Sequence, residues 1–176
     1  MKVILASSSP RRKELLKKIV SDFSVVSPDA EETEEGVPEE IAEKNAVAKG
    51  RAVEGECVVA CDTIVAMDGK IYGKPYTEER AKEMLRELSG RTHEVISGLY
   101  VRVKGKEYVS TEKSEVTFRS LTEEEITFYV TRFHPLDKAG AYGIQDGFVV
   151  EKYEGSYDNI VGLPTEKLRE IWEEQQ

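Results

Sequence analysis

Short apolar runs alternate along this chain with longer stretches of helical period. Lys2–Ala6 and Phe23–Ser27 read as strands. Between them Ser9 can cap a helix that has Pro10 at its first position and Leu15, Leu16, Ile19 and Val20 as its apolar stripe. A further helix is predicted from about Pro38 to Val53, then a strand over Glu56–Ala60 that ends at Cys61-Asp62-Thr63. Ile64–Met67 is extended again, and Asp68-Gly69 is a two-residue hairpin signal. Thr77 caps a helix with the stripe Ala81, Met84, Leu85 and Leu88, and Gly90 stops it. Thr92–Val103 and Lys106–Phe118 are two long strands joined at Lys104-Gly105. Thr122 and Glu125 form a capping box for a helix through about Thr131. A loop dotted with glycine, Lys138–Gly143, leads to a strand at Phe148–Lys152 and a last helix at Pro164–Glu174. Neither a repeat nor a linker breaks this order. It predicts an α/β fold with a mixed sheet, as one domain over residues 1–176.

Charge narrows the function. Lys and Arg total 25 against 34 Asp and Glu, a net charge of −9, which argues against a binder of nucleic acid polymers. No run nears the roughly 18 apolar residues of a membrane span. The apolar start at Met1–Ala6 is cut short by Ser7, Pro10, Arg11 and Arg12, so no signal peptide is expected and the expected location is cytoplasmic. Cys57 and Cys61 lie four apart on a predicted strand, about 13 Å between Cα atoms, beyond disulfide reach; they read as core.

Four segments carry candidate chemistry. Ser7-Ser8-Ser9-Pro10-Arg11-Arg12 sits at a strand-to-helix turn. Two arginines there oppose the helix dipole, a cost offset when an anion binds; hydroxyls beside them supply donors. Asp62, read as the end of an apolar strand, is placed where open α/β sheets gather ligands and can hold a divalent metal or take a proton from water. Lys74, between Gly73 and Pro75, can contact phosphate, although no P-loop pattern occurs in the chain. In Asp137–Gln145, small residues permit close backbone approach, and Gln145 offers a donor–acceptor pair suited to a nucleobase edge. Each segment also has a plainer reading: solvated arginines, a turn-bonding aspartate, a solvated lysine, a structural loop. With only His93 and His134, and no Gly-x-Ser-x-Gly elbow, a serine triad or a histidine metal site is not expected.

Taken in order, Ser-x-Ser-Pro-Arg-Arg, Asp62-Thr63, Gly73-Lys74-Pro75, Leu88-Ser-Gly-Arg-Thr-His93, Asp137–Gln145 and Val161-Gly-Leu-Pro164 make the chain resemble the Maf family of nucleoside triphosphate pyrophosphatases, over roughly residues 3 to 170. The resemblance implies a two-lobed fold like that of the inosine triphosphate pyrophosphatases, with a cleft between the lobes. It implies cleavage of a nucleoside triphosphate to the monophosphate and pyrophosphate, a divalent metal (Mg2+, with Mn2+ the alternative) and a homodimer. Ser9-Pro10-Arg11-Arg12, Asp62-Thr63 and Ile144-Gln145 follow the subgroup acting on dTTP and UTP, not the one acting on 7-methyl-GTP. By this resemblance Asp62 is the proton acceptor, and Arg11, Thr63 and Gln145 are specificity positions. Lys49 and Lys74 contact phosphate beside Ser7, Ser9, Arg11 and Arg12. Glu32 joins Asp62 on the metal side, with adjacent Glu31 as the other choice.

The chain departs from the pattern at Phe133-His134-Pro135 and at Asp146, where the subgroup has glycine after Ile-Gln. Two other functions stay open at this point. One is a nucleotide-binding regulator of cell division and septum formation that needs no hydrolysis. The other is a house-cleaning enzyme for modified pyrimidine nucleotides.

Overall fold

The computed structural model describes residues 1–175. Seven strands form one sheet, ordered β2-β1-β3-β5-β6-β7 with β4 pairing β3. The strands are β1 (Val3–Ala6), β2 (Ser24–Val26), β3 (Cys57–Met67), β4 (Lys70–Tyr72), β5 (Thr92–Val103), β6 (Lys106–Phe118) and β7 (Val150–Glu154). The helices are α1 (Pro10–Leu16), α2 (Pro38–Arg51), α3 (Glu78–Leu88), α4 (Glu123–Phe133), α5 (Tyr157–Val161) and α6 (Thr165–Glu174). β1 runs parallel to β2 and β3, and the other pairs are antiparallel, so the sheet is mixed as expected. No helix among the described residues is long and apolar enough to cross a membrane.

Local chemistry explains most boundaries. Ser9, Thr77 and Thr122 each accept a backbone N–H of the helix they precede, and Thr122 and Glu125 complete the capping box. Three expectations are corrected. The break in the strand at Cys61-Asp62-Thr63 does not exist: β3 is continuous, with Asp62 opposite Gly98 and Thr63 opposite Ser97 on β5. A full-length partner supplies ladder bonds that outweigh the turn preference of an Asp-Thr pair. The last strand starts at Val150 instead of Phe148 and runs to Glu154. Finally, α5 was not foreseen, because five residues are too few to show a helical period.

Alternation along β3 sorts the core into layers. Cys57, Val59 and Cys61 face a cluster built with α1 and α6, and Val65 and Met67 face a second cluster built with α3 and α4. Thr63 lies on this face between the two clusters, at the gap that separates the lobes. The even positions Val58, Ala60, Ile64 and Ala66 face α2 instead. There the packing is very close. A Cβ on Gly98 would stand 2.2 Å from the Ala42 carbonyl oxygen, and one on Gly50 would stand 2.0 Å from the Tyr100 ring. Only hydrogen on both glycines lets α2 lie against β5.

Gly98→Ala should therefore push α2 off the sheet and lower the unfolding free energy by about 3 kcal/mol, read from urea denaturation. A second prediction concerns His93, which is buried beside Phe118 and bonded to the Tyr142 hydroxyl at 2.7 Å. Burial pushes its pKa down from 6.5 to about 4. The unfolded chain then takes up a proton that the folded chain refuses, so stability present above pH 6.5 is lost as pH falls through 4. The unfolding free energy from urea denaturation should fall over that interval by up to about 3 kcal/mol, and less in His93→Gln.

Candidate active site

A cleft of about 440 Å³ opens between the two lobes, a size suited to a small-molecule ligand. Ser7, Ser9, Arg11, Arg12, Glu32, Lys49, Asp62, Thr63, Lys74 and Gln145 all line it, and Glu31 does not. Arg11, Arg12, Lys49, Lys74 and Lys138 outnumber the carboxylates Glu32, Asp62 and Asp137. The cleft is thus locally cationic in a chain whose net charge is −9.

Its floor is built around Asp62. β1 stops at Ala6, and its pairing with β3 ends at Leu5 opposite Val59. Asp62 stands just past that point, at the level where a ligand can reach the sheet from the carboxyl end of β1. As an even position of β3 its side chain points to α2. There Asn45 Nδ2 donates to Asp62 Oδ2 at 3.0 Å, and Lys49 Nζ donates to Oδ1 at 3.1 Å. Asn45 and Lys49 are four apart on one helix, hence on one face. Asp62 is 9% exposed, so these partners offset the cost of removing its carboxylate from water.

Lys49 also holds Glu32 Oε1 at 2.7 Å, which leaves its ammonium between two carboxylates. Of the two neighbouring glutamates, Glu32 is the one that lines the cleft. The loop that carries it is fastened by Asn45, which accepts from Thr33 N–H at 2.8 Å and donates to the Thr33 carbonyl at 3.0 Å.

On the opposite face of β3, Thr63 Oγ1 bonds to the buried Ser97 hydroxyl at 2.8 Å. Arg12 reaches the same place, donating from Nε to the Gly162 carbonyl at 2.7 Å and from its terminal nitrogen to Thr63 Oγ1 at 3.2 Å. Arg12 is thereby anchored in the cleft wall. Arg11 lies more freely, 3.9 Å from Asp137; burial lowers its pKa from the usual value, and Asp137 acts the other way. At the α1 N-terminus, Ser7 Oγ accepts from Ser9 N–H at 3.0 Å and Ser9 Oγ from Arg12 N–H at 3.3 Å.

The other lobe supplies the far lip. Gly140 N–H donates to the Gly73 carbonyl and Tyr76 N–H to the Leu136 carbonyl, which ties the Lys74 loop to the Asp137–Gly143 loop. Gln145 sits exposed on a short 3₁₀ turn, Ile144–Asp146. His134 is only the left-handed cap of α4, with φ of 46°.

Sequence reasoning missed Asn45, Ser97 and Gly162. Asn45 had a usable signal, a short polar side chain one turn before Lys49. Gly162 lies in the Val161–Pro164 motif, where nothing in the sequence marks its carbonyl as an acceptor.

Among known proteins, the family model described as Maf-like protein matches residues 2–175. A relative from Thermococcus gammatolerans, named dTTP/UTP pyrophosphatase, is 46% identical over 177 residues, covering 96% of each chain. One of the same name from Bacillus mycoides is 47% identical over 175 residues, covering 95% of this chain and 92% of its own. Among solved structures, the Ham1 protein of Staphylococcus aureus superposes with a TM-score of 0.60 at 19% identity, covering 100% of both chains. A HAM1 protein from Coxiella burnetii gives 0.56 at 15% identity, covering 99% of each. This likeness bears out the mixed α/β fold that was expected.

Asn45→Ala should remove one donor to Asp62 and both bonds to Thr33. The expected cost is about 2 kcal/mol in urea denaturation, with faster amide hydrogen exchange at Thr33 N–H.

Proposed function

The chain belongs to the Maf-like family, and on that footing we propose that it hydrolyses dTTP and UTP to the nucleoside monophosphate and pyrophosphate. The observation that carries this reading is the set at the cleft floor: Asp62 held by Asn45 and Lys49, Glu32 beside it, and cations around them. A triphosphate carries close to four negative charges. Arg11, Arg12 and Lys74 receive them. Gln145 meets the base edge with its amide.

Asp62 is the proton acceptor. A water oxygen bonds to the α-phosphorus, its proton passes to the Asp62 carboxylate, and the bond from that phosphorus to the bridging oxygen breaks to release pyrophosphate. Lys49 serves two ends: its ammonium bridges the two carboxylates, and it lines the cleft where it can turn to a phosphate oxygen. The barrier falls through positioning and charge stabilisation.

The carboxylates fit a divalent metal. Glu32 and Asp62 are hard oxygen donors that both line the cleft. That suits Mg2+, which takes one or two carboxylates and fills its other positions with water and phosphate oxygens. When bound, such an ion supplies charge neutralisation on the triphosphate. The homodimer implied by the sequence resemblance goes with this reading and is checked by light scattering.

Asp62→Asn should cut pyrophosphate release by about 10³-fold while circular dichroism stays that of the parent. Near-normal turnover would remove Asp62 from its role. A nucleotide panel with Mg2+ tests the substrate: dTTP and UTP should lead, and modified pyrimidine nucleotides belong on the panel. Activity on 7-methyl-GTP alone would overturn the substrate assignment; release from no nucleotide would favour a regulator that only binds.

A further inference from the structure

The 3₁₀ turn that carries Gln145 is fastened from outside the cleft by one hydroxyl. Tyr129 lies on α4 and is fully buried, its ring stacked on Phe133 at 5.0 Å and on Phe148 at 5.5 Å between centroids. Its hydroxyl donates to Asp146 Oδ2 at 2.6 Å and accepts from Gly143 N–H at 3.0 Å. Those residues flank Ile144 and Gln145. The turn closes on itself as well, through Asp146 N–H to the Gly143 carbonyl at 3.1 Å. Ile144 packs against the clusters of both lobes. Backbone and anchor are therefore fixed on every side, and Gln145 is the exposed member.

We propose that Tyr129 is a positioning residue for nucleobase selection: its hydroxyl, bonded to both ends of the turn, sets where Gln145 stands in the cleft. The proposal rests on the reading of Gln145 as the base-reading residue. The chemistry suits the task. Burial and the bond to Asp146 raise the Tyr129 pKa, so the phenol stays a neutral donor. A donor to a carboxylate makes a strong bond that still accepts the Gly143 N–H. The ring cannot drift, because two aromatic neighbours hold it.

The base is remote from the phosphorus that reacts. Loss of the strap should therefore weaken binding of the correct base and spare the chemical step. Tyr129→Phe keeps the ring and deletes the hydroxyl. Steady-state kinetics on dTTP, UTP and dCTP should show KM for dTTP and UTP raised about fivefold to tenfold, with kcat within about twofold. The dTTP-to-dCTP ratio of kcat/KM should fall at least about fivefold. Asp146→Ala, which changes no core side chain, should act the same way; Asp146→Asn, which keeps an acceptor oxygen, should stay near the parent.

Gln145→Ala separates the two claims. If it collapses discrimination while Tyr129→Phe and Asp146→Ala leave KM and the ratio unchanged, the strap is overturned and base reading by Gln145 stands. If Gln145→Ala leaves discrimination intact, base reading fails and the proposal falls with it. A uniform loss of kcat on all three nucleotides in Tyr129→Phe, at constant ratio, would mark a merely structural role and overturn the proposal.

Discussion

Two glycines set how near a helix may come to a sheet, and the site depends on that distance. Gly98 lies opposite Asp62 on the neighbouring strand, on the face that receives α2. With no side chain there, the backbone of α2 rests on β5 at Ala42, and Gly50 seats the far end of the helix on Tyr100. Asn45 and Lys49 fall between these two contacts. Their reach to Asp62 is short because the helix is close. A larger residue at either glycine would act on the carboxylate without touching it.

The same closeness lets charge be buried. A carboxylate nearly withdrawn from water needs partners, and Asp62 has an amide on one oxygen and an ammonium on the other. Lys49 is shared with Glu32, which draws the acidic segment toward the cleft, while Asn45 fastens it by two backbone bonds. Most of the acidic excess stays on the outside. The net charge of −9 and a cationic cleft are compatible because cations are concentrated where the lobes meet.

Much of this was legible in the sequence. Caps at Ser9, Thr77 and Thr122 declare themselves within four residues, and long strands declare themselves by their turns. Arginines at a helix start and an aspartate in an apolar run stand out because they are locally costly, whereas Glu32 and Lys49 are singled out only by the family resemblance. What stayed hidden depends on register. Asp-Thr looked like a strand end, since nothing local reveals that β5 continues beside it. Asn45 is one polar residue among many in α2, and nothing in the sequence around Tyr129 marks it out. Their roles exist only after the helices have docked.

The bond from Arg12 to Gly162 spans 150 positions of the chain. While the protein is being synthesised, α1 and most of the sheet leave the ribosome long before the partner of Arg12 does. During that interval the arginine has no carbonyl to hold it and Thr63 lacks one of its neighbours. The lobe built on α1 also lacks α6, whose Leu168 and Ile171 complete its core. Contacts this distant in sequence close late in folding. A partly made chain can therefore have Asp62 in place and still lack one wall of the cleft, which is completed only when α6 is present.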